Sequence, residues 1–415
     1  MSTSYAEAKT NQSKYWKNKP VMKTTERITQ AKQIRTDAYM QKMCRESWTK
    51  LPEGYVWNKI DINDIENMNS VCDFLYKHYR RGSESEYVIR YDVDRLNWEM
   101  CHKGYFLTIN DKEQNVVGVI GFTFRTVQLE NIRYTCTEPV YMCCLPNYKK
   151  TGIAKILIEE ATRQSLLFGI NKGIICNNRI VTRPVATIRQ YSRPLNYKKL
   201  REHDFIEIGG VDDDIVHSKT KINLKPNNRY VVVTKTQANI DLVYDMYNQY
   251  MSTFNLHMVL TKTEIENYMF DDRYVKTVFV MSDSDETPRV PIDFVTYNFY
   301  DIIDTNITDP NKNNIIKTAN ILMYSANNVR SDLLFINILK QISYDKIHVI
   351  YINDMMHSNE AILSNVKNAD EDTDDEEETA VFDMNIVKTS KKTFITLYNI
   401  ECESLKQTMV SWLIF

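Results

Sequence analysis

Apolar positions recur at spacings of three and four through "INDIENMNSVCDFLYKHYRR", where Met68, Val71, Cys72, Leu75 and Tyr76 fall on one face. That period predicts an amphipathic helix. A β-rich block follows: "GYFLTIN", a polar turn "DKEQN", "VVGVIGFTFRTV" and "RYTCTEPVYMCCL" predict three successive strands. The next apolar stripe, Ile153, Ile156, Leu157 and Ala161, predicts a helix over "IAKILIEEATRQSLLFG", closed by Gly169. "GIICNNRIV" predicts a further strand. Beyond the polar join "KPNNRY" (225–230) the alternation returns: a helix near 238–253, strands at "TVFVMSD", "IDFVTYNFYDII" and "ANILMYSA", a helix near 330–342 and a strand at "KIHVIYIND". The two halves share an order of elements without a visible sequence repeat.

A chain of 415 residues exceeds what one core usually serves, so two lobes are expected. Apolar residues make up 43% and charged residues 26%, as in an ordinary soluble globule. A net charge of −2 gives no whole-molecule case for binding nucleic acid. No apolar run approaches about 18 residues, so no transmembrane helix is expected. The opening "MSTSYAEAKTNQSK" lacks the apolar core of a secretory signal, and Ser2 rules the chain out as an N-myristoylation acceptor. The eight cysteines form no CxxC pair and read as reduced thiols of a cytoplasmic protein, with no zinc site. Residues 369–378, "ADEDTDDEEE", repel one another and predict a disordered loop.

"VYMCCLPNYKKTGIAKILIEEATRQ" carries the candidate chemistry. A strand enters a short loop with Lys149, Lys150 and Gly152, and a helix starts at once. Unpaired N–H groups and the positive dipole end of that helix, beside two lysines, suit a phosphate or pyrophosphate. Gly152 lets the backbone approach an anion closely. The bland reading is a loop of solvated lysines. The glycine spacing is not that of a Walker loop. The order strand, strand, strand, [KR]xxGxA, helix, strand resembles the GCN5-related acetyltransferase core, whose equivalent loop holds the pyrophosphate of an acyl-CoA.

Further segments resemble the N-myristoyltransferases. "YWKNKPV" (15–21) is similar to their FWxTQPV, "LPEGYVW" to LPxGFxW, and "RYDVDRLNW" to RFDYSxEFLxW. "PVATIRQYSRPLNYKKL" is similar to KPVGTCRYWHRSLNxxKL, and "FNLHMVLTKTEIENYMF" to FxLxPVxxxEEVxHWF. The resemblance implies an α+β fold of two fused GCN5-related acetyltransferase-like lobes with pseudo-twofold symmetry, a mixed central sheet and helices around it. Residues 1–50 would form an arm closing over acyl-CoA. Residues 51–224 would form the acyl-CoA lobe, and 225–415 the peptide lobe. A bias toward Ile, Asn, Lys and Tyr indicates an AT-rich genome and fits a large DNA virus as the source.

The resemblance also implies roles, residue by residue. Lys149, Lys150, Thr151, Gly152, Ile153 and Ala154 would hold the CoA phosphates, and Lys14, Tyr15 and Trp16 would close over the acyl-CoA. Tyr79 would lie beside it. The main-chain N–H groups of Tyr141 and Met142 would form the oxyanion hole, with Thr187 near the substrate amine. Tyr91, Gln190, Ser192 and Thr296 would line the peptide groove, and Asp354 would receive a basic substrate residue. Myristoyl-CoA would be a co-substrate, with no tightly bound cofactor. N-terminal Gly peptides would be the partners of a cytoplasmic monomer.

The C-terminal "SWLIF" is apolar to its last residue. An exposed α-carboxylate, with a pKa of about 3.5, is a poor base, but burial raises its basicity. The resemblance makes the Phe415 carboxylate the proton acceptor for the attacking amine. A buried edge strand without function is the other reading of these residues. Four departures concentrate in the peptide half. Arg80-Arg81-Gly82 replaces an acidic cluster, and "VFDMNIV" (381–387) replaces FGxGDG. Gln190-Tyr191-Ser192 replaces Tyr-Trp-His, and Val140 replaces an Asn. The expected function is transfer of a myristoyl group from myristoyl-CoA to the N-terminal glycine of proteins. The alternative is a catalytically inactive acyl-CoA or lipidated-peptide binding protein.

Overall fold

The computed structural model describes residues 15–23, 28–79, 86–148, 151–206, 227–282, 289–309, 312–358 and 386–415. Lys14, Arg80, Arg81, Gly82, Lys149, Lys150, the acidic loop 369–378 and most of 381–387 lie outside the described residues. The chain forms two compact units. One runs to Thr187 and adds Asn255–Val259 and Lys392–Lys406; the other holds Ile188–Phe254, Leu260–Lys391 and Gln407–Phe415. The expected join near 225 falls inside the second unit.

In the first unit, helix α1 (Ile65–His78) starts where the Asp64 carboxylate accepts from the Asn67 N–H. Met68, Val71, Cys72 and Leu75 are buried as the period requires. Tyr76 is exposed instead, and Phe74 is buried. At about 100° per residue these two lie on opposite rims of the stripe, and the core covers the Phe74 rim. Helix α2 is Val93–Glu99, and α3 is Ile153–Leu167. The strands of this unit are β1 (Val56–Asp61), β2 (Tyr105–Asn110), β3 (Val116–Leu129), β4 (Ile132–Cys144) and β5 (Gly173–Asn177).

Strands β1 to β4 pair antiparallel in sequence order. Helix α3 then crosses over, and β5 joins β4 in parallel through the single register pair Thr137↔Gly173. Phe394–Tyr398 pairs antiparallel with the far side of β5. One core packs α1 and α2 residues on Phe106 and Val119. Another packs Ile153, Leu157 and Ala161 of α3 on Leu107, Ile109 and Ile120. The sheet therefore carries helices on both faces.

Helix α3 ends in a Schellman pattern. The Gly169 N–H donates to Leu166 and the Ile170 N–H to Ser165, with Gly169 at φ +75°. Its buried face also holds charge. The Glu160 carboxylate, fully buried, accepts from Arg163, Gln164 and the Thr49 N–H. Arg163 donates in turn to the carbonyls of Arg45 and Glu46. This ties residues 45–49 to α3.

The second unit repeats the order. Its strands are β6 (Ala186–Pro194, whose first two residues belong to the first unit), β7 (Val275–Met281), β8 (Pro291–Asp304), β9 (Ile315–Tyr324) and β10 (Val349–Asn353). Helices α4 (Gln237–Met251), α5 (Lys262–Phe270) and α6 (Ser331–Tyr344) accompany them. Strands β7, β8 and β9 pair antiparallel, α6 crosses over, and β10 runs parallel to β9 and antiparallel to β6. Both units thus show a mixed sheet flanked by helices, the α+β arrangement expected.

Glu160→Ala strands Arg163 without its carboxylate partner in the interior, and is expected to cost about 3–5 kcal/mol. A urea unfolding curve with an unchanged midpoint would show the pair to be dispensable.

Candidate functional site

The helix start expected to bind phosphate has the required geometry. Gly152 caps α3 in the left-handed region at φ +95°, and no side chain caps the helix there. Open space surrounds the position of a Cβ at Gly152, so backbone conformation alone demands glycine. The Thr151 hydroxyl donates to the Tyr148 carbonyl at 2.7 Å and fixes the turn. Ile153 is buried as the anchor, while Ala154 and Lys155 are exposed.

Behind the helix start, β4 departs from its ladder. Val140 pairs with Gly121 and Cys143 with Val119, so Tyr141 and Met142 stand opposite Ile120 alone. This is a β-bulge. Tyr141 adopts φ +53°, rare for an aromatic residue. The bulge takes the main chain of Tyr141 and Met142 out of regular pairing. The Tyr141 ring lies 5.7 Å from Tyr79, 5.2 Å from Tyr91 and 6.1 Å from Phe106. Three expected site residues therefore converge. A Cβ on Gly121 would meet the Phe106 ring at 2.8 Å, so glycine keeps room for this cluster.

Strands β4 and β5 diverge beyond Thr137, and a cleft opens beside α3. Tyr15 and Trp16 line it, in a T-shaped pair 5.0 Å apart. The Lys19 and Lys155 ammonium groups sit 4.8 and 5.7 Å from the Tyr15 ring centre. Lys19 also pairs with Glu159 at 3.7 Å. Burial holds the Lys19 ammonium below the usual lysine range, and the nearby charges of Lys155 and Arg45 push it the same way against Glu159. An anion would relieve that repulsion.

Thr137, Pro139, Ile158, Thr162, Ser165 and Tyr398 also line the cleft and escaped the sequence reading. Positions 158, 162 and 165 follow helical spacing and could have been found with Ala161. Tyr398 arrives from a distant segment, which no local pattern reveals.

The remaining expected residues lie elsewhere. Thr187 is half-buried at the end of the first unit's main segment. In the second unit, Gln190 and Ser192 lie two apart on β6, opposite Asn353 and Tyr351. Thr296 is fully buried, and its hydroxyl bonds Thr277 at 2.7 Å. Asp354 is 2% exposed and accepts from the Arg189 N–H at 2.7 Å. Burial pushes its carboxyl up to about 6, against the pull of the Arg189 main-chain donor and guanidinium. Trp412, Leu413 and Ile414 are buried, and the half-buried Phe415 ring stacks at a tilt on Tyr268, 5.8 Å away. The Ile414 carbonyl accepts from Asn320 Nδ2 at 3.0 Å. Among the described residues no group of His, Cys, Asp and Glu could hold a metal ion, and no helix is long and apolar enough to cross a membrane.

A splayed sheet, a strand bulge and an uncapped helix start are the features expected of the acetyltransferase-like fold. The structure superposes on Saccharomyces cerevisiae N-myristoyltransferase with bound myristoyl-CoA at a TM-score of 0.80, covering 95% of this chain and 94% of that one at 17% identity. Residues 33–188 match the family model "Myristoyl-CoA:protein N-myristoyltransferase, N-terminal domain". A glycylpeptide N-tetradecanoyltransferase of Emericella nidulans is 23% identical over 75% of this chain and 64% of its own length. Glycylpeptide N-tetradecanoyltransferase 2 of Bos taurus is 23% identical over 67% of this chain and 56% of its own. The chain spans less than two thirds of the length of these curated relatives. The chain is thus similar to the N-myristoyltransferases in residues 33–188 and shares their fold.

Two outcomes follow. Gly152→Ala forces a left-handed alanine, at a cost of about 1–2 kcal/mol. It should weaken myristoyl-CoA binding in isothermal titration, and unchanged affinity would remove the loop from the binding site. A carboxyl with a raised folded pKa contributes stability at low pH that is lost as pH rises through about 6. Asp354→Asn keeps an acceptor for the Arg189 N–H, so its Tm should exceed that of the natural protein at pH well above 6, and the gain should shrink on acidification.

Proposed function

We propose that this protein transfers a myristoyl (C14) group from myristoyl-CoA to the N-terminal glycine amine of proteins. The observation that carries the reading is the bulge at Tyr141–Met142 beside the cleft between β4 and β5. Acyl transfer from a thioester places negative charge on the carbonyl oxygen. The main-chain N–H groups of Tyr141 and Met142, taken out of the ladder, serve as its donors. One such donor is typically worth about 3 kcal/mol of transition-state stabilisation. The start of α3, with Thr151, Gly152, Ile153 and Ala154, binds the CoA phosphates, aided by Lys149 and Lys150. Tyr15 and Trp16 close over the pantetheine and acyl chain, as part of an arm with Lys14.

No acyl-enzyme is required, because a thioester yields directly to an amine. The α-amino group, with a pKa of about 8, is mostly protonated at neutral pH and must lose a proton. In a chain that ends at Phe415 its carboxylate accepts that proton, with Thr187 beside the amine. Tyr91, Gln190, Ser192, Thr296 and Asp354 serve the peptide. The first unit serves as the acyl-CoA lobe and the second as the peptide lobe, in place of the expected division at 224/225, in a monomer acting in the cytoplasm.

The burial of Thr296 and Asp354 favours a second reading, an acyl-CoA or lipidated-peptide binding protein without turnover. Incubation with labelled myristoyl-CoA and a library of Gly-initiated peptides decides between them. Thiol release with labelled peptide is expected; tight binding without release supports the second reading. Transfer from acetyl-CoA alone overturns both. Adding residues after Phe415 should lower kcat by about 10²–10⁴-fold, the usual contribution of a general base, with acyl-CoA affinity retained. Full activity in the extended protein would exclude the Phe415 carboxylate as base.

A further inference from the structure

Three asparagines stand out in the second unit. Asn298, Asn320 and Asn353 lie on the adjacent strands β8, β9 and β10 and are 1%, 4% and 5% exposed. Buried side-chain amides nearly always find partners. Here both side-chain atoms of Asn298, the Oδ1 of Asn320 and the Nδ2 of Asn353 have none. All three residues lie on one face of the sheet. Asn298 is the register partner of Asn320, and Asn320 of Tyr351, two residues before Asn353. Asn320 Nδ2 donates to the carbonyl of Ile414, one residue before Phe415.

The row is neutral, and each amide offers a donor and an acceptor a fixed distance apart. That chemistry matches a peptide group better than a charged side chain or a phosphate. Neighbouring residues on one sheet face stand roughly 5 Å apart, and diagonal ones roughly 7–8 Å, so the row spans about 12 Å. An extended chain covers that in about four residues. Like Thr296, two residues before Asn298, the row is buried.

We propose that Asn298, Asn320 and Asn353 form an amide track that binds the main chain of the extended peptide substrate beside the C-terminal segment. The inference rests on the transferase reading and deepens it. It supplies a recognition mode indifferent to substrate charge, in a chain with Arg80-Arg81-Gly82 where the resemblance implies an acidic cluster. Asn320 has a second duty, since it also holds the Ile414 carbonyl in place.

The test uses the full chain, a Gly-initiated peptide and a non-hydrolysable myristoyl-CoA analogue. In Asn298→Leu and Asn353→Leu, peptide Kd should rise about tenfold, the equivalent of one hydrogen bond's free energy. Analogue affinity should stay within about twofold, and Tm should hold or rise, since a buried unpartnered amide is itself unfavourable. The factor by which each substitution raises peptide Kd should be the same at low and high salt, because the track itself contributes no ion pair. Unchanged peptide affinity in both variants, in a protein that transfers myristate, sinks the track and leaves the transferase standing. Affinity that falls only where Tm falls with it assigns the asparagines to folding and overturns the proposal. A natural protein that neither binds nor acylates the peptide overturns the transferase reading, and the track with it.

Discussion

One register pair, Thr137 with Gly173, holds β4 to β5, and the first unit is organised around how little that is. Two parallel strands sharing a crossover helix would ordinarily pair along their length. Here Pro139 follows two residues later and brings no N–H to any ladder. The bulge at Tyr141 and Met142 then adds a residue on the β3 side and increases the local twist. The strands separate without a break in the chain, and the cleft opens between them. Helix α3 flanks the opening with small residues, Ala161, Thr162 and Ser165, and so leaves it a void.

A strained bulge persists only if its surroundings over-determine it. Four buried charges stand behind this one. Arg125 donates to Glu138, three residues before Tyr141, and to the Glu99 carbonyl at the end of α2. Glu99 accepts from Arg95, whose guanidinium lies 5.8 Å from the Tyr91 ring. Such pairs add little net stability compared with apolar packing, but their directional bonds define one geometry. Glu99 shows the tension. Burial raises its carboxyl, while Arg95 and Arg125 draw it back.

Much of this architecture can be read from the chain itself. The period of α1 and α3, the alternating strands and the closing Gly169 follow from residue pattern alone. Gly152 could be read as a close-approach glycine, although its left-handed φ is the stronger constraint. Tyr76 was misassigned because a wheel defines a stripe but not which rim the core covers. Nothing in the sequence marks Glu160 and Arg163 as buried, since a pattern of polarity cannot announce that two ions have found each other. The asparagine row depends on the register of three strands, which local sequence does not encode. The expected oxyanion pair and the expected roles of Thr187 and Asp354 rest on motif resemblance; no spacing or composition rule points to them.

The order in which segments join each sheet has a consequence for biosynthesis. The first unit's sheet ends on Phe394–Tyr398, more than two hundred residues after β5, and the second unit's sheet includes β6, contributed from before its own core strands. A ribosome that has emitted β1 to β5 has made a sheet with one flank open. An unpaired strand edge invites pairing with other chains until its own partner arrives. Folding of this molecule is therefore bound to the completion of nearly its whole length. Neither unit can complete its sheet from one continuous stretch of chain.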